Sequence, residues 1–172
     1  AGAEGLTWFL YYPLGWQESP IDAQGHKTLS WKYMRDVNEQ INVIGSYLKA
    51  YKSTDCGMTD LYDAESLPDL PALPTNVLKN FRAEFSSRAQ FDKTPQTMIG
   101  EFAQKDGENV AALVVNLDFA SSQLVHFDLP EGYSAVKTIN PVDGSETIAD
   151  EETMKRGFWI LPGHGRLFVF EK

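Results

Sequence analysis

The chain has 172 residues, 42% of them hydrophobic and 23% charged, the balance of a folded globular chain with room for one complete domain plus a fragment. Its net charge of −9, two thirds of it in residues 97–172, argues against a nucleic-acid partner, because a phosphate-binding face needs clustered Lys and Arg. The single cysteine, Cys56, has no partner for an internal disulfide. No apolar run reaches the length of about 20 residues that a membrane span requires, and Ala1-Gly2-Ala3-Glu4-Gly5 lacks the basic lead-in of a secretion signal.

The first element is Leu6-Thr7-Trp8-Phe9-Leu10-Tyr11-Tyr12, apolar almost throughout, preceded by Gly5 and followed by Pro13. A short run without alternation suits a strand buried on both faces, as in a parallel sheet. Residues 13–28, with Pro13, Gly15, Pro20 and Gly25, read as a loop. The spacing of Trp31, Met34, Val37, Ile41, Ile44, Leu48 and Tyr51 at threes and fours predicts one helix from Leu29 to Tyr51, in which Gly45 implies close packing on a neighbour.

From residue 56 to 84 the chain is acidic and then Pro-rich, with Ser66-Leu67-Pro68-Asp69-Leu70-Pro71-Ala72-Leu73-Pro74 in its middle, and reads as an extended connector between residues 1–55 and 85–172. The rest has the spacing of short antiparallel strands. Eight are predicted: Phe85–Phe91, Thr97–Ala103, Val110–Asp118, Gln123–Leu129, Ser134–Ile139, Glu146–Ile148, Phe158–Leu161 and Arg166–Glu171. Turn-forming clusters such as Pro130-Glu131-Gly132 and Pro162-Gly163-His164-Gly165 separate them. The fold class is therefore mainly β, an antiparallel sandwich of about eight strands preceded by a strand and a long helix. Val115, Leu117, Phe127, Phe168 and Phe170 are its predicted core.

Chemistry is sparse. His26, His126 and His164 have no second ligand at metal spacing, and no phosphate loop, dinucleotide fingerprint or nucleophile elbow occurs. No catalytic residue, metal or cofactor is assigned. Asp150-Glu151-Glu152 reads as a solvated hairpin loop, with a weak calcium site as the alternative. Asp55, Asp60, Asp63 and Glu65 read the same way. The aromatic cluster Trp8, Tyr11, Tyr12 and Trp16 says more, since sugars present C–H faces that stack on flat rings. Two readings of it stand, core filling and carbohydrate contact.

Taken together, Gly2-Ala3-Glu4-Gly5 through Pro13 resembles the eighth strand of β-galactosidase-like (β/α)8 glycosidase barrels, and Trp31 through Asn42 is similar to their final helix. Ile99-Gly100-Glu101-Phe102 through Asn116, ending Pro162-Gly163-His164-Gly165-Arg166-Leu167-Phe168, resembles the sandwich that closes many such enzymes. The resemblance implies that the chain is the non-catalytic C-terminal region of a carbohydrate-active protein, with the rest of the barrel as partner. It favours a periplasmic or extracellular location. It also implies that Tyr11, Tyr12 and Trp16 line the sugar-binding mouth, where barrel active sites are built, with Gln17 and Glu18 beside them. The two carboxylates of a retaining glycosidase, about 5–5.5 Å apart, belong to earlier barrel strands, and Glu4 lies at the wrong end of this one. The alternative is a free-standing carbohydrate-binding or adhesion sandwich, whose mark is an exposed aromatic on its strands; Phe158-Trp159 offers the only Trp there. A self-sufficient enzyme is the third reading, without a visible acid–base pair or nucleophile.

Overall fold

A computed structural model describes residues 19–59, 72–85 and 94–172. In chain order these form α1 (Leu29–Leu48), β1 (Tyr51–Met58), β2 (Lys79–Phe85), β3 (Thr97–Gln104), β4 (Val110–Asn116), β5 (Gln123–Asp128), β6 (Ala135–Ile139), β7 (Glu146–Ile148), α2 (Glu151–Arg156), β8 (Phe158–Ile160) and β9 (Gly165–Glu171). The strands make a six-stranded sheet, ordered β1-β3-β4-β9-β6-β7, and a three-stranded sheet, ordered β2-β5-β8. Every pairing is antiparallel. The protein is mainly β, sandwich-like, with one long helix.

The core between the sheets takes Ile99, Ala112, Val114, Val136, Phe168 and Phe170 from the large sheet. Val125, Phe127, Phe158 and Ile160 come from the small one, and Val77 and Leu78 from the residues leading into β2. Three rings lock its centre. Phe127 stacks on Phe158 with centroids 5.4 Å apart, and Phe168 stands edge-on to both at 4.9 Å, the offset and T-shaped geometries aromatic quadrupoles favour. The other face of the large sheet offers Ala111, Ile139, Leu167 and Val169 to Ile44, Tyr47 and Leu48 of α1. Strands β4 and β9 are thus apolar on both sides, which is why Val110–Val115 and Leu167–Phe170 read as continuous apolar runs.

Several sequence expectations need correction. The helix ends at Leu48, and Tyr51 opens β1 opposite Gln104, so the spacing from Leu48 to Tyr51 is a coincidence of two elements. Among the described residues nothing lies within 4 Å of where a Cβ on Gly45 would sit, so none of them is the close neighbour expected there. The two ends of the stretch read as an extended connector carry strand: β1 runs across residues 55 and 56, and β2 begins at Lys79, while residues 60–71 between them are outside the described set. Of the strand expected at Phe85–Phe91 only Phe85 is among the described residues, where it closes β2 (Lys79–Phe85); residues 86–93 are outside the described set. Phe127, Phe168 and Phe170 are buried as predicted, but in β4 the inward residues are Ala112 and Val114, leaving Val115 and Leu117 half-buried.

The acidic run is no hairpin loop. Asp150 caps α2, its carboxylate accepting the Thr153 N–H at 2.7 Å, with Glu151 and Glu152 in the first turn and Lys155 and Arg156 in the last. That distribution complements the helix dipole. Gly157, with φ 81 and ψ −178, ends the helix in a conformation essentially reserved for glycine.

Candidate functional site

Tyr11, Tyr12 and Trp16, with Gln17, Glu18, Trp8 and the whole first apolar run, lie outside the described residues. Trp31 of α1 is half-buried beneath two cations, with Lys27 Nζ 3.8 Å and the Arg35 guanidinium 5.3 Å from its ring centre. Asp60, Asp63 and Glu65 are also outside the described set, whereas Asp55 sits in β1 and accepts the Cys56 N–H. Among the described residues, no group of three or more His, Cys, Asp or Glu is placed to hold a metal, and no helix is long and apolar enough to cross a membrane.

Two surfaces remain, and the first is a face of α1. The helix carries a continuous apolar stripe yet has no buried residue. Leu29, Tyr33, Val37 and Ile41, one turn apart, are 61%, 60%, 42% and 44% exposed. Only the last turns, through Ile44, Tyr47 and Leu48, reach the large sheet. A polar anchor reinforces that end. The Tyr47 hydroxyl donates to the Gly144 carbonyl at 2.7 Å and lies 3.2 Å from Glu146 Oε1. Lys137 Nζ bridges Glu146 at 3.1 Å and Glu171 at 2.7 Å. Hydrogen bonding to Glu171 and Glu146 raises the Lys137 pKa, and bonding to Lys137 lowers that of Glu146. Desolvation, then the nearby Glu146 charge, pushes the Tyr47 hydroxyl up. Tyr51 moves the same way through burial and then Glu171.

The N-terminal entry to α1 is held by its preceding loop rather than by a side-chain cap. The Thr28 hydroxyl donates to the carbonyls of Ser19 and Pro20, and Asp22 accepts the N–H groups of Gln24 and His26. These bonds lower the Asp22 pKa, the one from His26 N–H most. His26 therefore closes a turn through its own loop.

The second surface is the outer face of the small sheet. In β8, Phe158 and Ile160 turn into the core and Trp159 turns out, 48% exposed. The register sets Leu124 beside Trp159 and Glu84 beside Leu124, and in the next row Arg82 beside His126. His126 lies over Gly157: a Cβ there would be 2.7 Å from His126 Cε1 and from the Val125 carbonyl oxygen. His164 takes part in the turn into β9, its N–H donating to Leu161 and its carbonyl accepting from Asn116.

A third feature is internal. Glu101 of β3 is fully buried between the sheets, with Oε1 accepting the Val77 N–H at 2.8 Å and Oε2 without a hydrogen-bond partner. Composition and spacing gave no sign of it, because a lone Glu inside a strand normally faces water. Its one bond fixes the residues that lead into β2.

Compared with protein-family models, curated proteins and solved structures, the chain matches none.

Proposed function

We propose that the chain is the non-catalytic C-terminal region of a carbohydrate-active protein, and that it packs against and completes a glycosidase-type barrel through α1. One observation carries this reading: a twenty-residue helix anchored to the sheet at its C-terminal end, with Leu29, Tyr33, Val37 and Ile41 in one exposed stripe. Contiguous exposed apolar surface of this kind marks an interaction site, and helix spacing fits a partner that takes it lengthwise. The sequence resemblance supplies the partner, since the final helix of such a barrel lies against barrel strands with this face. On this reading the first apolar run is the last barrel strand, and Tyr11, Tyr12 and Trp16 contact sugar in the intact protein.

The test is hydrogen exchange on α1 in this chain alone and in a longer protein that includes the preceding barrel residues. Amides of 29–41 gain protection in the longer protein, and Val37→Glu with Ile41→Glu abolishes the gain. Equal exchange in both proteins would remove α1 from any such interface.

A further inference from the structure

We propose that the outer face of the small sheet around Trp159 is a binding site for a neutral pyranose carbohydrate, independent of the barrel reading. Trp159 belongs to neither apolar cluster, so its ring is not needed to fill the core. A three-residue strand with both neighbours buried leaves its indole facing outward by geometry alone. Leu161, two residues on, is exposed as well.

The support beneath is fixed. Asn116 Nδ2 donates to the carbonyls of Ile160 and Leu161 and to that of Ser121. The buried Gln123 side chain joins the Thr97 hydroxyl to the Gln96 carbonyl across the two sheets. A ring held on rigid strands binds without a large ordering cost.

The surroundings select the ligand. The row Glu84, Leu124, Trp159 and the row Arg82, His126 put hydrogen-bonding groups of both kinds on the same sheet face as one flat apolar ring. A pyranose needs that combination, because its C–H face stacks while its hydroxyls both donate and accept. Arg82 and Glu84 lie 3.8 Å apart and offset one another, so the face has no single-sign charge to favour a phosphate or a uronate.

The experiment is a titration of the isotopically labelled chain, followed by NMR, with hexasaccharides of β-1,4-linked glucose, xylose and mannose and with hexagalacturonate. The chain has four tryptophans, and Trp159→Tyr identifies the relevant indole signal. At least one neutral hexasaccharide shifts the Trp159 indole and the amides of Leu124 and His126. Trp159→Ala weakens its binding by about tenfold or more, and Tyr33→Ala on α1 leaves it unchanged. Because Trp159 lies outside both clusters, its variants stay folded, which the core methyl signals check. The proposal is overturned if no neutral hexasaccharide moves these signals at millimolar concentration, if binding survives Trp159→Ala, or if hexagalacturonate binds as well. None of these results bears on exchange at α1, so the two readings fail separately.

Discussion

Phe168→Ala probes whether the centre of the fold is correctly located. Phe168 has no exposed surface, and its ring stands edge-on to Phe127 and Phe158 at 4.9 Å. Burying a phenyl side chain contributes about 1.5–3 kcal/mol. Truncation to Ala also leaves a void on the order of 100 Å³, costing about 2 kcal/mol at the usual price per unit of cavity volume. The two edge-on contacts vanish with the ring, and neighbouring residues relax only in part. The expected loss is therefore about 3–5 kcal/mol, read from urea unfolding followed by circular dichroism. Val114→Ala and Val115→Ala sharpen the comparison, since Val114 is fully buried while its neighbour is half-buried against Gly165. A loss below about 1 kcal/mol for Phe168→Ala, or a larger loss at Val115 than at Val114, would refute the assignment of faces.

Gly157→Ala should cost about 1–3 kcal/mol, because the backbone conformation there is nearly closed to other residues and a Cβ would meet the Val125 carbonyl; unchanged thermal unfolding would show that the turn after α2 is free to rearrange. The bridge from Lys137 to Glu171 and Glu146 makes stability, and through Glu146 the attachment of α1, pH-dependent at both ends. The lowered Glu146 pKa gives stability that is present above its ordinary 4.5 and lost as pH falls through the folded value, and the raised Lys137 pKa gives stability that is present below 10.5 and lost as pH rises through the folded value. Denaturation across pH should show both flanks reduced in Lys137→Met; an unaltered profile in that variant would exclude the link. The chain alone should turn over no chromogenic glycoside, and turnover abolished by a single Asp or Glu substitution within it would overturn the non-catalytic reading.

The legible parts of the fold were those with a single clear period. Strand β5 alternates cleanly, with Gln123, Val125 and Phe127 inward, and β3, β6 and β7 fell close to their expected places. Strand β4 was found but misphased, because a strand buried on both faces has no alternation to read. Strand β1 was hidden by its composition: Lys52-Ser53-Thr54-Asp55 looks like a loop, and only pairing with β3 orders it. Helix α2, by contrast, left a signal in plain view. Asp150 followed by Glu151, Glu152 and Thr153, with Gly157 six residues after the first Glu, is a cap, an acidic first turn and a terminating glycine.

The candidate surfaces divide in the same way. Trp159 was recognisable as the one Trp among the sandwich strands, but its direction depended on the phase of a three-residue strand, which no period can set. The α1 stripe was legible in part: Val37, Ile41, Ile44 and Leu48 fall on the expected face, but Leu29 and Tyr33, which extend its exposed end, were not read as part of it, and Trp31 and Met34, which were, are half-buried. Only tertiary contacts split it at Ile44 into a covered end and an open one. Glu101 was invisible because its burial comes from the facing sheet and from Val77, both remote in sequence.

The split in α1 has a mechanical consequence. Residues 29–41 span about 18 Å along the axis, and a segment of that length held only by a flexible joint would lose orientational freedom on docking. Here the joint is stiff. Ile44, Tyr47 and Leu48 seat apolar side chains on the sheet while the Tyr47 hydroxyl, Gly144, Glu146 and Lys137 fix the rotation of the helix about its own axis. Apolar contact alone would permit sliding; the directional bonds from Tyr47 do not. The exposed stripe is therefore presented at a set angle to the sheet, which lowers the ordering cost of any lengthwise association. Loss of the Lys137–Glu146 link loosens that presentation before it unfolds the sandwich, since none of the four anchoring residues reaches the core between the sheets.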